Sequence, residues 1–442
     1  MLEQIFIQLQ NSNTQWVLAG TFFLGIASGV LGSFALLRKQ SLIGDAMAHA
    51  ALPGVCIAFI LYGQKSLFLF LIGAAIAGLA ATWLIQTIVS HSRIKEDTAL
   101  GMVLSVFFGF GIVLLTYIQQ TASGNKSGLD DFLFGQAASM VGQDVRLITI
   151  IALTLLIITF LFFKEFKLLT FDSQFAKGIG LKTSFLNGLL MTLIVCAVVI
   201  GLQTVGVILM AAMLITPAIA ARYWTEKLSV MTILSGVIGG ISGIIGTLLS
   251  TTTKGMATGP LIIVAATSIF LISLIIAPRR GLLSQFIRMV KLKEKTAKEQ
   301  LLLSLYDLTE EAEREHSEPD LSSVELKEKR NISDQLFTKY IMEFEKKKWV
   351  KRTGGMSWRL TEKGLEETYD LALKQRLYEM YLMHEMEMSN LQLNQYDGFD
   401  VNQIPCEMKN RLFELLSIHH RLPSLLPKTK SLGQKGWRAN EL

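Results

Sequence analysis

The sequence predicts an all-α polytopic membrane bundle of about nine transmembrane helices, followed by a small α+β cytoplasmic domain. Three observations carry this expectation. Apolar residues make up 51% of the chain and concentrate before about Ile276, in runs that match the ~20 residues a bilayer helix needs. From Arg279 to Leu442 the composition turns to Lys and Glu, which marks a second, soluble body of one-domain size. Within that body, residues 349–360 alternate on both sides of Gly354-Gly355, the pattern of a β-hairpin. The expected boundaries are 1–280 for the membrane domain, 281–295 for a linker, 296–422 for the soluble domain and 423–442 for a disordered tail.

Other classes are excluded early. A formal charge of +6 is modest and does not by itself point to nucleic acid. Cys56, Cys196 and Cys406 are odd in number and far apart, against both a disulfide framework and a zinc knuckle. Met1 to Gln15 lacks Lys and Arg and leads into an apolar stretch longer than a signal peptide, so no cleavable signal is expected. The chain has no Gly-x-x-x-x-Gly-Lys-Ser/Thr phosphate loop, so it is not expected to hydrolyse ATP or to act as an enzyme.

The expected spans are about 16–37, 42–62, 66–90, 98–118, 145–164, 184–202, 204–221, 228–250 and 259–277. Only Gly201-Leu202-Gln203-Thr204 separates the sixth from the seventh. Alternation places Arg38/Lys39, Arg93/Lys95, Lys164/Lys167/Lys177/Lys182, Arg222/Lys227 and Arg279/Arg280 on one side, leaving Lys65, Lys126, Arg146 and Lys254 for the other. By the positive-inside bias the first side is cytoplasmic. The N-terminus is then outside and the soluble domain inside. Small residues at Gly25 to Gly29, Gly73 to Gly78 and Gly236 to Gly246 suit close helix packing. Lys126 to Gln143 is too polar to span and suits an outer loop or a re-entrant hairpin.

Asp45 and His49 stand four residues apart at the entry of the second span, on one helix face. Ionisable groups within a span call for a partner, a cavity or an ion. A carboxylate and an imidazole suit Mn(II), Fe(II) or Zn(II). The structural alternative is that Asp45 caps the helix and His49 bonds across the bundle. Cys56, seven residues on, is a further ligand or a small core hydrophobe. Met47 points elsewhere and reads as packing. Pro53 removes a backbone hydrogen bond at depth, as does Pro217, and broken helices are tolerated where they line a cavity. Met213 lines such a path or fills the core. Phe171 to Leu181 is a short amphipathic connection between spans, either a contact surface or a loop whose lysines meet anionic lipid headgroups.

Ser41 to Val55, Phe132-Leu133-Phe134-Gly135-Gln136, and Gln203 to Leu209 through Thr216-Pro217-Ala218 together resemble the metal-ion permease family of ABC importers, over roughly residues 10–280. The resemblance implies a membrane subunit in a bacterial cell membrane. It also implies a separate ABC ATPase, a metal-binding lipoprotein and a second permease copy or a paralogue. The implied cargo is Mn(II), with Zn(II) or Fe(II) as alternatives, and no tightly bound cofactor. Asp45 and His49 become metal ligands, with Cys56 a weaker candidate. Phe171 to Leu181 is similar to a coupling helix, with Asp172 as cap, Phe175 and Ile179 as apolar anchors, and Ala176 and Gly180 within the motif.

In the tail, helices are expected at Thr296 to Leu308, Ser322 to Arg330 and Ile332 to Lys347, then the hairpin, then a helix opened by Thr361-Glu362-Lys363-Gly364. This order resembles a winged helix of the iron- and manganese-dependent repressors. Lys339, Lys346, Lys347, Lys348, Lys351, Arg352 and Arg359 invite a DNA reading, but Asp334, Glu343, Glu345 and Glu362 share those elements. Nucleic acid is therefore not the expected partner, and a regulatory or dimerisation module is. The His384-Glu385 pair with Glu379 and Glu387 supplies metal ligands or solvated helix charge. The alternative function is a membrane-tethered sensor or transcription regulator acting through the winged helix.

Overall fold

A computed structural model describes residues 12–40, 42–63, 66–121, 142–252, 256–317, 320–329, 333–384 and 406–427. The chain divides into two compact units between Phe286 and Ile287.

The first unit is helical throughout its described residues. Its long helices are α1 (Ser12–Leu37), α2 (Ile43–Tyr62), α3 (Leu67–His91), α4 (Glu96–Thr121) and α5 (Gly142–Leu161). Two short helices follow, α6 (Phe163–Phe171) and α7 (Ser173–Gly178), then α8 (Thr183–Val205), α9 (Val207–Trp224), α10 (Leu228–Thr252) and α11 (Thr258–Ile276). Among the described residues, 8 helices are long and apolar enough to cross a membrane. The segment expected at 204–221 is α9, 18 residues long, within the ~17–25 residues of a bilayer helix. It lies inside the bundle against α1, α2, α10 and α11, with Met210, Met213, Leu214 and Ala218 buried.

The break between α8 and α9 also moves. It falls at Gly206, not at 201–204, because Gly206 takes φ +92°, a conformation that costs a residue without Cβ little. Glycines let the helices touch backbone to backbone, as membrane packing requires where no water drives association. A Cβ at Gly25 of α1 would stand 2.3 Å from the Gly239 carbonyl of α10, and one at Gly54 of α2 would stand 2.1 Å from the Gly73 carbonyl of α3. Hydroxyls reinforce the first contact: Ser235 donates to the Gly29 carbonyl at 2.7 Å and Thr247 to the Thr21 hydroxyl at 3.1 Å.

The second unit begins within α12 (Leu282–Arg314), which takes in most of the segment 281–295 set apart above as a linker. Then come β1 (Leu321–Ser322), α13 (Ser323–Glu328), α14 (Asp334–Lys346), β2 (Val350–Gly354), β3 (Ser357–Leu360), α15 (Glu362–Met383) and α16 (Cys406–Ile418). The strands form an antiparallel sheet in the order β1-β3-β2. Local chemistry sets the ends: Ser322 and Glu325 close a capping box on α13, Gly355 turns the hairpin at φ +51°, and Thr361 caps α15. Leu305, Leu326, Tyr340, Phe344, Val350 and Trp358 share one apolar core.

The end of this unit is anchored. Glu310 accepts from the backbone N–H and hydroxyl of Ser424 at 2.6 and 2.7 Å, and the Tyr306 hydroxyl donates to the Leu425 carbonyl. The boundary placed at 422 therefore shifts for residues 423–427, because a buried carboxylate takes up the donors this segment carries. Residues 428–442 lie outside the described residues.

Candidate metal site and coupling surface

The first turn of α2 holds Asp45, where the positive end of the helix favours an anion. One turn later His49 sits on the same face, with Nε2 3.4 Å from Asp45 Oδ1. Among the described residues, neither hydrogen bond of the structural alternative is made. The N-cap of α2 is Leu42, with no side-chain cap hydrogen bond, so Asp45 is not the cap. His49 Nδ1 is buried without a hydrogen-bond partner among the described residues, and its ring meets the edge of Phe108 of α4, with ring centroids 4.6 Å apart. The imidazole thus approaches α4 through an aromatic contact and faces Asp45 with its other nitrogen. Gly44, just before the pair, packs on Leu214 of α9.

The other candidates stand apart from this pair. Among the described residues no group of three or more His, Cys, Asp or Glu side chains is placed to hold a metal, so Cys56 does not join the pair in a cluster. It is fully buried, with Sγ 3.9 Å from the Gly111 carbonyl of α4. Met47 is buried and accepts from the Thr82 hydroxyl at 3.2 Å. Pro53 lies inside α2 and Pro217 inside α9, and Met213 is buried in the bundle core. A cavity of about 600 Å³ opens between α2, α3 and α4, lined by Pro53, Gly54, Ile57, Gly73, Val106 and Phe110. Its lining side chains are apolar except Tyr62, and none is a carboxylate, imidazole or thiol.

A polar cluster escaped the sequence reading. Gln40, in the turn between α1 and α2, donates to the Glu96 carboxylate in the first turn of α4. Arg38 donates to Asn187 of α8 at 2.5 Å. These contacts tie three helices together just before α2 begins. The only local signal was a glutamine and an arginine left between two spans.

The coupling candidates form a small projecting structure. Asp172 accepts from the Phe175 N–H at 2.8 Å and so caps α7. Phe175 and Ile179 are 57% and 56% exposed, a spacing of four that puts both on one face. Ala176 is fully buried and seats the segment instead of offering contact. Gly180 takes φ +90° and ends the turn.

In the second unit, four of the seven basic residues singled out above are engaged. Lys339 pairs with Glu294 at 2.6 Å, Lys347 with Glu343 at 3.0 Å and Arg359 with Asp320 at 2.8 Å. Arg352 donates to the Gly355 carbonyl. The rings of His384 and His419 are 6.0 Å apart, whereas Glu385 and Glu387 lie outside the described residues, as does the stretch 132–136.

A bundle of apolar helices with a carboxylate and an imidazole placed together on one of them defines a multi-pass membrane permease. The chain belongs to the ABC 3 transport family, whose model matches residues 10–277. It is 57% identical over 441 residues, the full length of both chains, to the manganese transport system membrane protein MntC of Bacillus subtilis (strain 168). It is 46% identical over 274 residues, 62% of this chain and 92% of that protein, to the zinc transport system membrane protein TroC of Treponema pallidum (strain Nichols). Among solved structures it is similar to PsaBC from Streptococcus pneumoniae in complex with Fab, with a TM-score of 0.57 and 35% identity over 66% of this chain and 100% of that one.

Proposed function

We propose that this chain is the membrane-spanning permease subunit of an ABC importer that passes Mn(II), in preference to Zn(II) or Fe(II), across a bacterial cell membrane by way of Asp45 and His49. The observation that carries the metal role is the pair itself: two ionisable groups 3.4 Å apart on a membrane helix, with neither a capping nor a cross-bundle hydrogen bond among the described residues. An oxygen and a nitrogen donor suit a borderline divalent ion. Two protein donors are few for Mn(II), leaving its other positions to water, and a transport site must bind weakly enough to release its cargo. Manganese over zinc rests on the end-to-end identity with the Bacillus subtilis manganese protein.

The ion arrives from a metal-binding lipoprotein outside, and a separate ABC ATPase drives the cycle from the cytoplasmic side, docking on Phe175 and Ile179. A second permease copy or a paralogue completes the path. The N-terminus is outside and the second unit cytoplasmic. That unit is a winged helix serving regulation or dimerisation, a reading supported by its strand order β1-β3-β2 within the helix sequence α12, α13, α14, α15. The engagement of Lys339, Lys347, Arg352 and Arg359 within the unit weighs against phosphate binding, and thus against a tethered transcription regulator.

Uptake of radiolabelled manganese by cells lacking the gene tests the function. Restoring the chain should restore manganese uptake, with unlabelled zinc or iron competing less well than unlabelled manganese. Stronger competition by zinc would reassign the cargo.

A further inference from the structure

Membrane helix α11 ends at Ile276 and α12 begins at Leu282. A chain advances at most ~3.6 Å per residue, so the first turns of α12 stay close to wherever α11 leaves the bilayer. At 100° per residue, Met289, Leu282, Phe286, Val290, Leu283 and Ile287 fall on one continuous arc of this helix. All six are exposed, from 41% at Val290 to 64% at Phe286. Ser284, Gln285, Arg288 and Lys291 occupy the opposite arc, with Leu292 the one apolar exception. Between Arg279 and Lys295 the chain carries Arg279, Arg280, Arg288, Lys291, Lys293 and Lys295 against a single acid, Glu294.

An unpartnered apolar face of this size needs a cover, and the charge beside it selects one. A second copy of the chain, packed apolar face to apolar face in a two-fold contact, would cover that arc but leave the basic residues of the opposite arc without a counter-charge. Anionic lipid headgroups complement those residues instead, and the acyl boundary beneath them takes the apolar arc. Each Lys or Arg near such a surface adds to the attraction.

We propose that residues 282–292 form an interfacial anchor, an amphipathic helix lying in the leaflet where α11 ends, with its apolar arc in the acyl boundary and its basic residues on anionic phospholipid headgroups. The proposal requires only that α11 spans the bilayer, and is independent of which ion is carried.

The test uses the full chain, with its three cysteines replaced by serine, reconstituted in bilayers of phosphatidylcholine with phosphatidylglycerol. Spin labels are placed one at a time at positions 282–292, and collision with oxygen and with a water-soluble nickel chelate is measured by power saturation. The oxygen-to-nickel ratio should rise at 283, 286, 287 and 290 and fall at 284, 285, 288 and 291, following the helical period. In phosphatidylcholine alone the contrast should shrink. Uniformly high nickel access would mean a solvated helix, and exclusion of both reagents from 286, 287 and 290 would mean a protein contact; either overturns the anchor. Equal contrast in the two membranes would overturn the headgroup contacts.

Discussion

At the scale of single residues, the fate of each ionisable or polar side chain depends on whether the protein supplies its partner. Glu310 shows the complete case. Burial opposes its charge, but hydrogen bonds from Arg376 and from the Ser424 backbone and hydroxyl outweigh burial and hold its carboxyl below the ordinary value. A depressed acid contributes stability above the ordinary carboxylate range and loses it as pH falls through the folded value. Hydrogen-exchange protection of residues 423–427 in the intact chain should therefore be high at neutral pH and fall as the pH drops through that range. Glu310→Gln should lower it already at neutral pH, at a cost of about 1–3 kcal/mol for the donors left behind. Unchanged protection in that variant would show that the segment is held by its apolar contacts alone. Cys56 is the opposite case, a buried thiol with one weak contact. Cys56→Ser should leave manganese uptake near normal and shift stability by about 1 kcal/mol at most, whereas abolished uptake in a folded Cys56→Ser protein would make it a ligand. The Asp45 and His49 pair was legible in the sequence because it is local, four residues on one helix. The Gln40 to Glu96 and Arg38 to Asn187 contacts were not, since each joins residues from different helices and no spacing rule reaches that far.

At the scale of elements, the apolar runs announced the helices, and most of the expected bounds lie within a few residues of those described. The break at Gly206 was misplaced because Gln203-Thr204 looks like a loop by polarity, while the backbone turns where a positive φ is tolerated. Strand β1, two residues long, is too short to carry any alternation. Which glycines bring backbones together is likewise a tertiary fact, and it is testable. Gly239→Val should force α1 and α10 apart, because even a Cβ there stands 2.2 Å from the Gly25 carbonyl. Overpacking of this kind costs about 1–3 kcal/mol or more, and the yield of monodisperse protein in detergent should fall. Gly188→Ala, with nothing within 4 Å of its Cβ, is the control that should not change it. For the α7 segment, Phe175→Asp should leave membrane insertion intact and separate ATP hydrolysis from transport, since it places a charge where the proposed ATPase contact takes an apolar side chain. Normal transport by this variant would move the ATPase contact elsewhere.

At the scale of the whole molecule, the two units follow different rules, one packed through glycines and hydroxyls, the other through an apolar core with capped helices. The family model matches residues 10–277, all within the first unit. A chain ended after Lys295 should accordingly insert and assemble with its ATPase, with altered dependence of uptake on cytoplasmic metal as its only defect. The account as a whole stands on the passage of manganese between Asp45 and His49. Its most direct test is manganese uptake by cells carrying Asp45→Ala or His49→Ala, normalised to the amount of each protein in the membrane and in complex with the ATPase. The account predicts that uptake is abolished in both variants while insertion and assembly match the unaltered chain. Uptake at the normal rate in either, or loss of folded protein in both, would contradict it.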